Sequence, residues 1–409
     1  MWRRGYRTYA YALCDLSPGF AKNYPPDSSR LDIAFVNGPF ARNVLNDKLL
    51  FAQLVRGYST FAPVMLDPSM PSRYDSKRPF RHLKKHWRFQ RDAPLGTPWS
   101  RRVDMLRRGA SYHSYALYPQ GGEYLSDAVR LETFFINGTF AHDLLDDKLL
   151  FTKIVGKVLN VPTLVALIER GQVFAKGKVT TLTELAAGYP DLVLKPSGGT
   201  RGQGVYRLEA GTLSGHTASL EELVCGLDNY LVTETVRQAP YAETIFPGST
   251  NSVRVMTFID PETLEPFVGR AVHRFGGTDT VPTDNWSRGG LCANVDLATG
   301  TLGPGVRHAK RTGGRLEWRT HHPDTGAAIE GVAIPCWREI CEGLIRAVKT
   351  LPFLTYVGWD VVVTESGFCV LEGNNNPDLD LLQVHGGLLK DARVRRFYEF
   401  HKVVRKRVS

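Results

Sequence analysis

In the last quarter of the chain an apolar run, Val357 to Val363, is interrupted once, by Asp360. A second apolar run, Phe368 to Leu371, ends on Glu372 and Asn374. Short apolar runs bounded by turn residues read as buried strands, and Thr364-Glu365-Ser366-Gly367 between them reads as a hairpin turn. The pattern therefore brings Asp360, Glu372 and Asn374 to one point. All three offer oxygen, which suits a hard cation such as magnesium: it takes one or two protein carboxylates and leaves other positions to water and nucleotide phosphates. An exposed hairpin with polar residues on its wet face is the other reading of the same pattern.

Upstream, Leu192 to Lys195 reads as a strand and Val205 to Leu208 as its return, with Gly198, Gly199, Gly202 and Gly204 between them. Glycines leave room for successive backbone N–H groups to face a phosphate chain, and Lys195 adds a point charge. The lysine precedes the glycines and no helix follows, unlike a P-loop.

A third pattern lies further toward the N-terminus. Residues 31–57 align without a gap with residues 131–157, and each copy predicts a short apolar segment, an Asn-Gly turn and a helix starting at Phe40 or Phe140. Two copies do not make a solenoid. They read as a duplicated helical unit whose first copy packs beside the second. Lys48 in the first copy stands where Lys148 stands in the second.

The remaining composition is that of a globular protein, with 43% apolar residues over 409 positions, enough for two or three domains. No apolar run reaches transmembrane length and no signal-peptide core follows the basic start, so a cytoplasmic protein is expected. Six cysteines without CxxC spacing argue against a zinc site or a disulfide framework. The net charge of +10 is concentrated in residues 71–109 and 390–409. The tail predicts a helix with Val394, Phe397, Phe400 and Val404 on one face, suited to docking on the protein's own core or to an anionic membrane surface. No nucleic-acid motif accompanies the charge.

In this order, the two hairpins resemble those of the ATP-grasp superfamily, and within it the alpha-L-glutamate ligase type and the sugar-transfer-associated group. The resemblance runs from about residue 143 to about residue 390 and includes 146-DDKLLFTKIVGKVLNVPTL-164, 231-LVTETV-236, 251-NSVRVMTF-258 and 285-NWSRGG-290. It implies an α+β fold of two lobes clasping ATP, preceded by the helical region with the duplicated unit. The implied divisions are residues 1–130, a lobe at 131–240 with the glycine-rich loop, a lobe at 241–390 with the metal site, and a basic helix at 391–409.

The resemblance also assigns roles. Lys148, Lys195 and the glycines would hold phosphates, Glu234 and Val236 adenine, and Asp360, Glu372 and Asn374 magnesium. Arg254 and Arg288 would bind the acyl substrate and the transferred phosphoryl group. One departure stands out: Gly358 occupies the position two before Asp360 where the D-alanine ligase branch carries an arginine. The implied activity is a carboxylate–amine ligase that forms an acyl phosphate and releases ADP and phosphate. Its expected partners are ATP and small carboxylate and amine substrates, of amino-acid or sugar-acid type. A kinase acting on a hydroxyl group, or an accessory enzyme modifying a polysaccharide precursor, are the alternatives. Gln383 and His385 are further candidates for the substrate pocket.

Overall fold

The computed structural model describes residues 93, 96–117, 123–134, 136–198, 204–209, 211–213, 219–312 and 315–404. The first repeat copy, with Lys48, lies outside them.

Two antiparallel sheets organise the described residues. The first contains β1 (Leu164–Glu169), β2 (Gln172–Ala175), β3 (Lys178–Thr180), β4 (Asp191–Pro196), β5 (Tyr206–Glu209), β6 (Thr212–Leu213) and β7 (Tyr230–Glu234), in the order β3-β2-β1-β7-β4-β5-β6. The second contains β8 (Val253–Ile259), β9 (Pro266–Phe275), β10 (Leu291–Val295), β11 (Leu302–Arg307), β12 (Glu317–Arg319), β13 (Tyr356–Thr364) and β14 (Gly367–Asn374), in the order β12-β11-β10-β9-β8-β13-β14.

The sheets differ in how they are covered. In the first, Leu192 and Leu194 of β4 join Ala166, Ile168 and Val232 in a core closed by the helices Leu182–Gly188 and Leu220–Cys225. Val193 and Lys195, on the alternate positions of β4, are half-buried. The second sheet carries helices on both faces. One face presents Val255, Val357, Trp359 and Val361 to the helix Trp337–Thr350. The other presents Met256, Phe258, Val272 and Tyr356 to the helix Ala392–Phe400. Strands buried on both faces read as near-continuous apolar runs, which explains the sequence pattern of β13.

The second repeat copy forms two helices rather than one, Thr139–Asp146 and Lys148–Ile154. Asp147 sits between them in an extended conformation, and its side chain accepts from the backbone N–H groups of Leu149 and Leu150. That cap restarts the helix and sets Lys148 at its first position. Both helices pack on the second sheet, with Leu144, Leu150 and Phe151 in the core shared with Trp359.

The C-terminal helix buries Val394, Phe397 and Tyr398 against the second sheet and ends at Phe400, short of Val404. Its N-terminus is capped by Asp391, which accepts from the N–H groups of Arg393 and Val394. The tail thus docks on the protein's own core through residue 404, and residues 405–409 lie outside the described part. Among the described residues no helix is long and apolar enough to cross a membrane.

Candidate nucleotide and metal site

Side chains two apart on a strand share a face, and register decides which of them meet across strands. Asp360 of β13 pairs with Arg254 of β8 on one side and with Glu372 of β14 on the other. Three charged side chains therefore form one row on the face that also carries Met256 and Tyr356. A β-bulge makes this possible. Val361 pairs with Val370, but Asp360 pairs with Glu372, so Leu371 is the extra residue. A regular ladder would set Leu371 opposite Asp360; the bulge re-aims the strand and puts a carboxylate there.

Buried charge needs partners, and Asp360, 3% exposed, has two. Arg254 donates to it through Nε and through Nη2, the latter at 3.0 Å, and Arg274 of β9 donates through Nη2 at 3.0 Å. The chain of charges continues outward: Arg274 Nε lies 3.3 Å from Asp284, which accepts from the Ser252 N–H at 3.0 Å and the Ser252 hydroxyl at 2.5 Å. Burial disfavours the Asp360 anion, but Arg254 and Arg274 outweigh it and hold the carboxyl at about 2. Burial, and then the neighbouring Asp360 charge, push Glu372 upward, with Lys148, Arg254 and Lys195 opposing. The two carboxyls are thus driven apart, one kept as an anion and the other disposed to hold a proton.

Gly358 has a structural role of its own. A Cβ there would lie 2.8 Å from Cβ of Pro377, 3.1 Å from Sδ of Met256 and 3.2 Å from Cδ of Arg254. A side chain at this position would have to displace them. Arg254 from the adjacent strand fills the space beside it, so a guanidinium reaches Asp360 from β8 instead of from β13.

Opposite this row stands the end of β4. Lys195 is on the half-buried face of that strand, and burial, together with nearby Lys148, lowers its pKa to about 8 while Glu372 acts the other way. The Lys148 backbone N–H donates to the Ser197 carbonyl at 2.9 Å, tying the restarted helix to the root of the glycine hairpin. Gly198 is exposed, and Gly204 adopts φ +70° where β5 begins. Gly199 and Gly202 lie outside the described residues. Glu234 ends β7, with its N–H donating to the Thr163 carbonyl at 3.0 Å, and Val236 is half-buried in the connection to the second sheet. That connection closes at Ala239, whose N–H donates to Val363 of β13 at 2.7 Å.

A cavity of about 420 Å³ opens beside the hairpin root, lined among others by His142, Asp143, Asp146, Asp147, Gly198 and Asn229. Its acidic lining is unfit for phosphate. The basic groups that suit phosphate are instead Lys195 and Lys148, both near enough to Glu372 to affect its protonation.

The proposed metal ligands offer oxygen only, the donor type magnesium prefers. Asn374 donates its amide nitrogen to the Gly358 carbonyl at 3.1 Å, leaving its amide oxygen out of that bond. Glu372, half-buried beside Asp360, adds a carboxyl group that a cation would hold as the anion. These features fit a magnesium ion, with Glu372 and Asn374 less committed than Asp360, whose two oxygens already accept from guanidinium groups.

Arg288 is not brought into this row. It lies exposed at the end of a short helical turn, Trp286–Arg288, and among the described residues its side chain makes no ion pair. The turn itself is well anchored, with buried Trp286 donating to the Val306 carbonyl at 2.8 Å. Gly289 at φ +133° and Gly290, where a Cβ would lie 2.5 Å from the Phe275 carbonyl oxygen, fix the Arg-Gly-Gly path.

Gln383 is fully buried and engaged with the backbone of Leu125, and His385 faces Cys292 at 3.4 Å, with burial holding its pKa at about 4. The sequence reading missed Arg274, Asp284 and Ser252. Their signal was present: Arg274 stands two residues from Val272 in a mostly apolar strand, and Asp284 immediately precedes the Asn-Trp-Ser-Arg-Gly-Gly segment.

Among known proteins, the family described as sugar-transfer associated ATP-grasp matches residues 130–396. Similar solved structures include the VanG D-Ala:D-Ser ligase of Enterococcus faecalis, at 15% identity and a TM-score of 0.37 over 65% of this chain and 64% of that one. The D-alanine–D-alanine ligase of Bacillus anthracis matches at 15% identity and a TM-score of 0.35, over 65% and 67% of the two chains. The ADP complex of N5-carboxyaminoimidazole ribonucleotide synthetase matches at 13% identity and a TM-score of 0.36, over 59% and 48%. The chain therefore spans about two thirds to one half of these relatives' lengths. No curated protein matches the sequence.

Proposed function

The chain belongs to the sugar-transfer associated ATP-grasp family, and from that premise we propose that it is an ATP- and magnesium-dependent ligase joining a carboxylate to an amine through an acyl phosphate. One arrangement supports the reading above others: the row of buried Arg254 and Asp360 and half-buried Glu372, with Lys195 and Lys148 in electrostatic reach of it. Anionic oxygens for a cation and cationic nitrogens for phosphate thereby converge, which phosphoryl transfer requires more than it requires covalent chemistry from the protein.

In the proposed reaction a substrate carboxylate oxygen attacks the γ-phosphorus of ATP, the bond to the β-phosphate oxygen breaks, and ADP leaves. The amine nitrogen then attacks the acyl carbon, and phosphate departs with the attacking carboxylate oxygen while the amine loses a proton. Lys195 and Lys148 bind the phosphate oxygens by charge-assisted hydrogen bonds. Arg254 holds Asp360 in place, and exposed Arg288 is the guanidinium still available to clamp the acyl group. Glu372, Asn374 and Asp360 would hold magnesium, which when bound would neutralise charge on the transferring phosphoryl oxygens.

The test is incubation with ATP, magnesium, hydroxylamine and a panel of amino and uronic acids. A hydroxamate formed together with ADP identifies the carboxylate and its acyl phosphate. With that carboxylate labelled by oxygen-18, the label should pass into inorganic phosphate when the amine is supplied. A stable phosphorylated hydroxyl product with no label transfer overturns the ligase reading in favour of a kinase.

A further inference from the structure

The helix Trp99–Arg108 has two unlike sides. One side faces the protein: Met105 is 0% exposed, and Arg101 lies over the Tyr112 and Tyr115 rings at 5.1 Å. The other side carries Trp99, Val103 and Leu106 at the i, i+4, i+7 spacing of a single stripe. Trp99 is 76% exposed and Leu106 42%, while Arg102 and Arg107 flank the stripe. Among the described residues, Trp99, Val103 and Leu106 belong to none of the hydrophobic cores. The helix also closes the most basic stretch of the chain: residues 71–109 carry twelve lysines and arginines against Asp75, Asp92 and Asp104.

We propose that this helix is a docking surface for an anionic lipid bilayer, with Trp99 and Leu106 entering the headgroup region and exposed Arg107 facing lipid phosphates. An exposed tryptophan and leucine in line, bordered by arginines, match the chemistry of an interfacial helix, in which apolar burial and attraction to anionic lipid add together. Each basic residue near such a surface strengthens binding about fivefold, and salt weakens it. A nucleic acid or other soluble polyanion would use the same positive charge but would not need the apolar stripe. That difference separates the readings.

The experiment uses the full chain with vesicles of phosphatidylcholine alone or with about one third phosphatidylserine, assayed by co-sedimentation at low and moderate salt. The wild type should sediment with the anionic vesicles only, and less at the higher salt. Trp99→Ser combined with Leu106→Ser should lower binding more than about tenfold. Arg107→Gln should lower it about fivefold. All three side chains are exposed, so circular dichroism and ATP binding should match the wild type and identify any folding failure. Three outcomes overturn the proposal: no preference for anionic vesicles, unchanged binding by the double variant, or a dimer in analytical ultracentrifugation that the double variant dissolves. Loss of binding in Arg107→Gln with none in the double variant would likewise overturn it, as the mark of a purely electrostatic polyanion site.

Discussion

The hairpins β4–β5 and β13–β14 meet at the same site but are built on opposite principles. The helices of the first sheet's core close over Leu192 and Leu194, and Val193 and Lys195 on the alternate positions of β4 stay half-buried. β13 lies between two helical layers, and every residue from Tyr356 to Val363 is buried. A charge on the first hairpin keeps some access to solvent or ligand. A charge on the second must be paired inside the protein, and Asp360 is, by Arg254 and Arg274. On the proposed function, the first hairpin would respond to a bound nucleotide, while the charges of the second are paired before any ligand arrives.

The sharpest way to break this contrast is to remove the partner of the buried charge. Arg254→Ala leaves Asp360 with Arg274 alone, and loss of one member of a buried pair costs about 3–5 kcal/mol. Urea unfolding should show a drop of that order, with ATP turnover lost as well. Lys195→Met, on the other hairpin, should leave the unfolding midpoint unchanged or slightly raised. Equal destabilisation by both substitutions would erase the distinction drawn here.

Glu372→Gln and Asp360→Asn sharpen the comparison within the second hairpin. Each should lower magnesium-dependent ATP turnover about a hundredfold or more, the scale on which loss of one charge-stabilising group acts. Their effects on stability should differ in sign. Glu372→Gln removes one of two adjacent carboxylates and should not destabilise, whereas Asp360→Asn removes the anion that two guanidinium groups share. Near wild-type turnover in both variants would remove these residues from the metal site.

How much of this was legible in the sequence follows from the same physics. The strand pattern of β13, the turn at residues 364–367 and the glycine hairpin were readable because burial and turn geometry leave local marks. The bulge at Leu371 was not, since nothing local distinguishes Asp360 facing Glu372 from Asp360 facing Leu371; packing of Val370 into the core of the second sheet decides it. The break at Asp147 was missed for a related reason. Aspartate inside an apolar-periodic stretch is compatible with a continuous helix until its side chain is seen to cap the next turn. The partnership of Arg254 with Asp360 depends on pairing between strands about a hundred residues apart, which no motif records. The absence of arginine at 358 was visible from the start; its cause, the crowding by Pro377, Met256 and Arg254, was not.

Two smaller effects probe each hairpin further. Lys195→Met should weaken MgATP binding by about 1.5–3 kcal/mol, roughly tenfold to over a hundredfold, by loss of a charge-assisted contact. Calorimetric titration measures it, and unchanged affinity would take Lys195 out of the phosphate site. Gly358→Ala introduces a methyl group into a space already filled, and overpacking of this kind costs about 1–3 kcal/mol. If the variant is as stable as the wild type, Arg254 has room to move and its hold on Asp360 is looser than described.

The smallest expected effect is a pH dependence carried by Lys195. Its pKa is lowered to about 8 by burial, with Lys148 adding to the shift, whereas an unfolded lysine titrates near 10.5. Between those two values the unfolded chain binds more protons at this residue than the folded one. Lysine 195 therefore contributes stability that rises with pH across that window, and its desolvation penalty is fully present below about 8. Nucleotide phosphate acts in the reverse direction, because it favours the protonated amine. MgATP affinity should hold constant below pH 8 and fall above it, approaching about tenfold per pH unit. Fluorescence or calorimetric titration from pH 7 to 9.5, compared with Lys195→Met, isolates this share. A wild-type profile parallel to that of the variant would mean that the lysine stays protonated throughout and that the half-buried face of β4 is better solvated than its position implies.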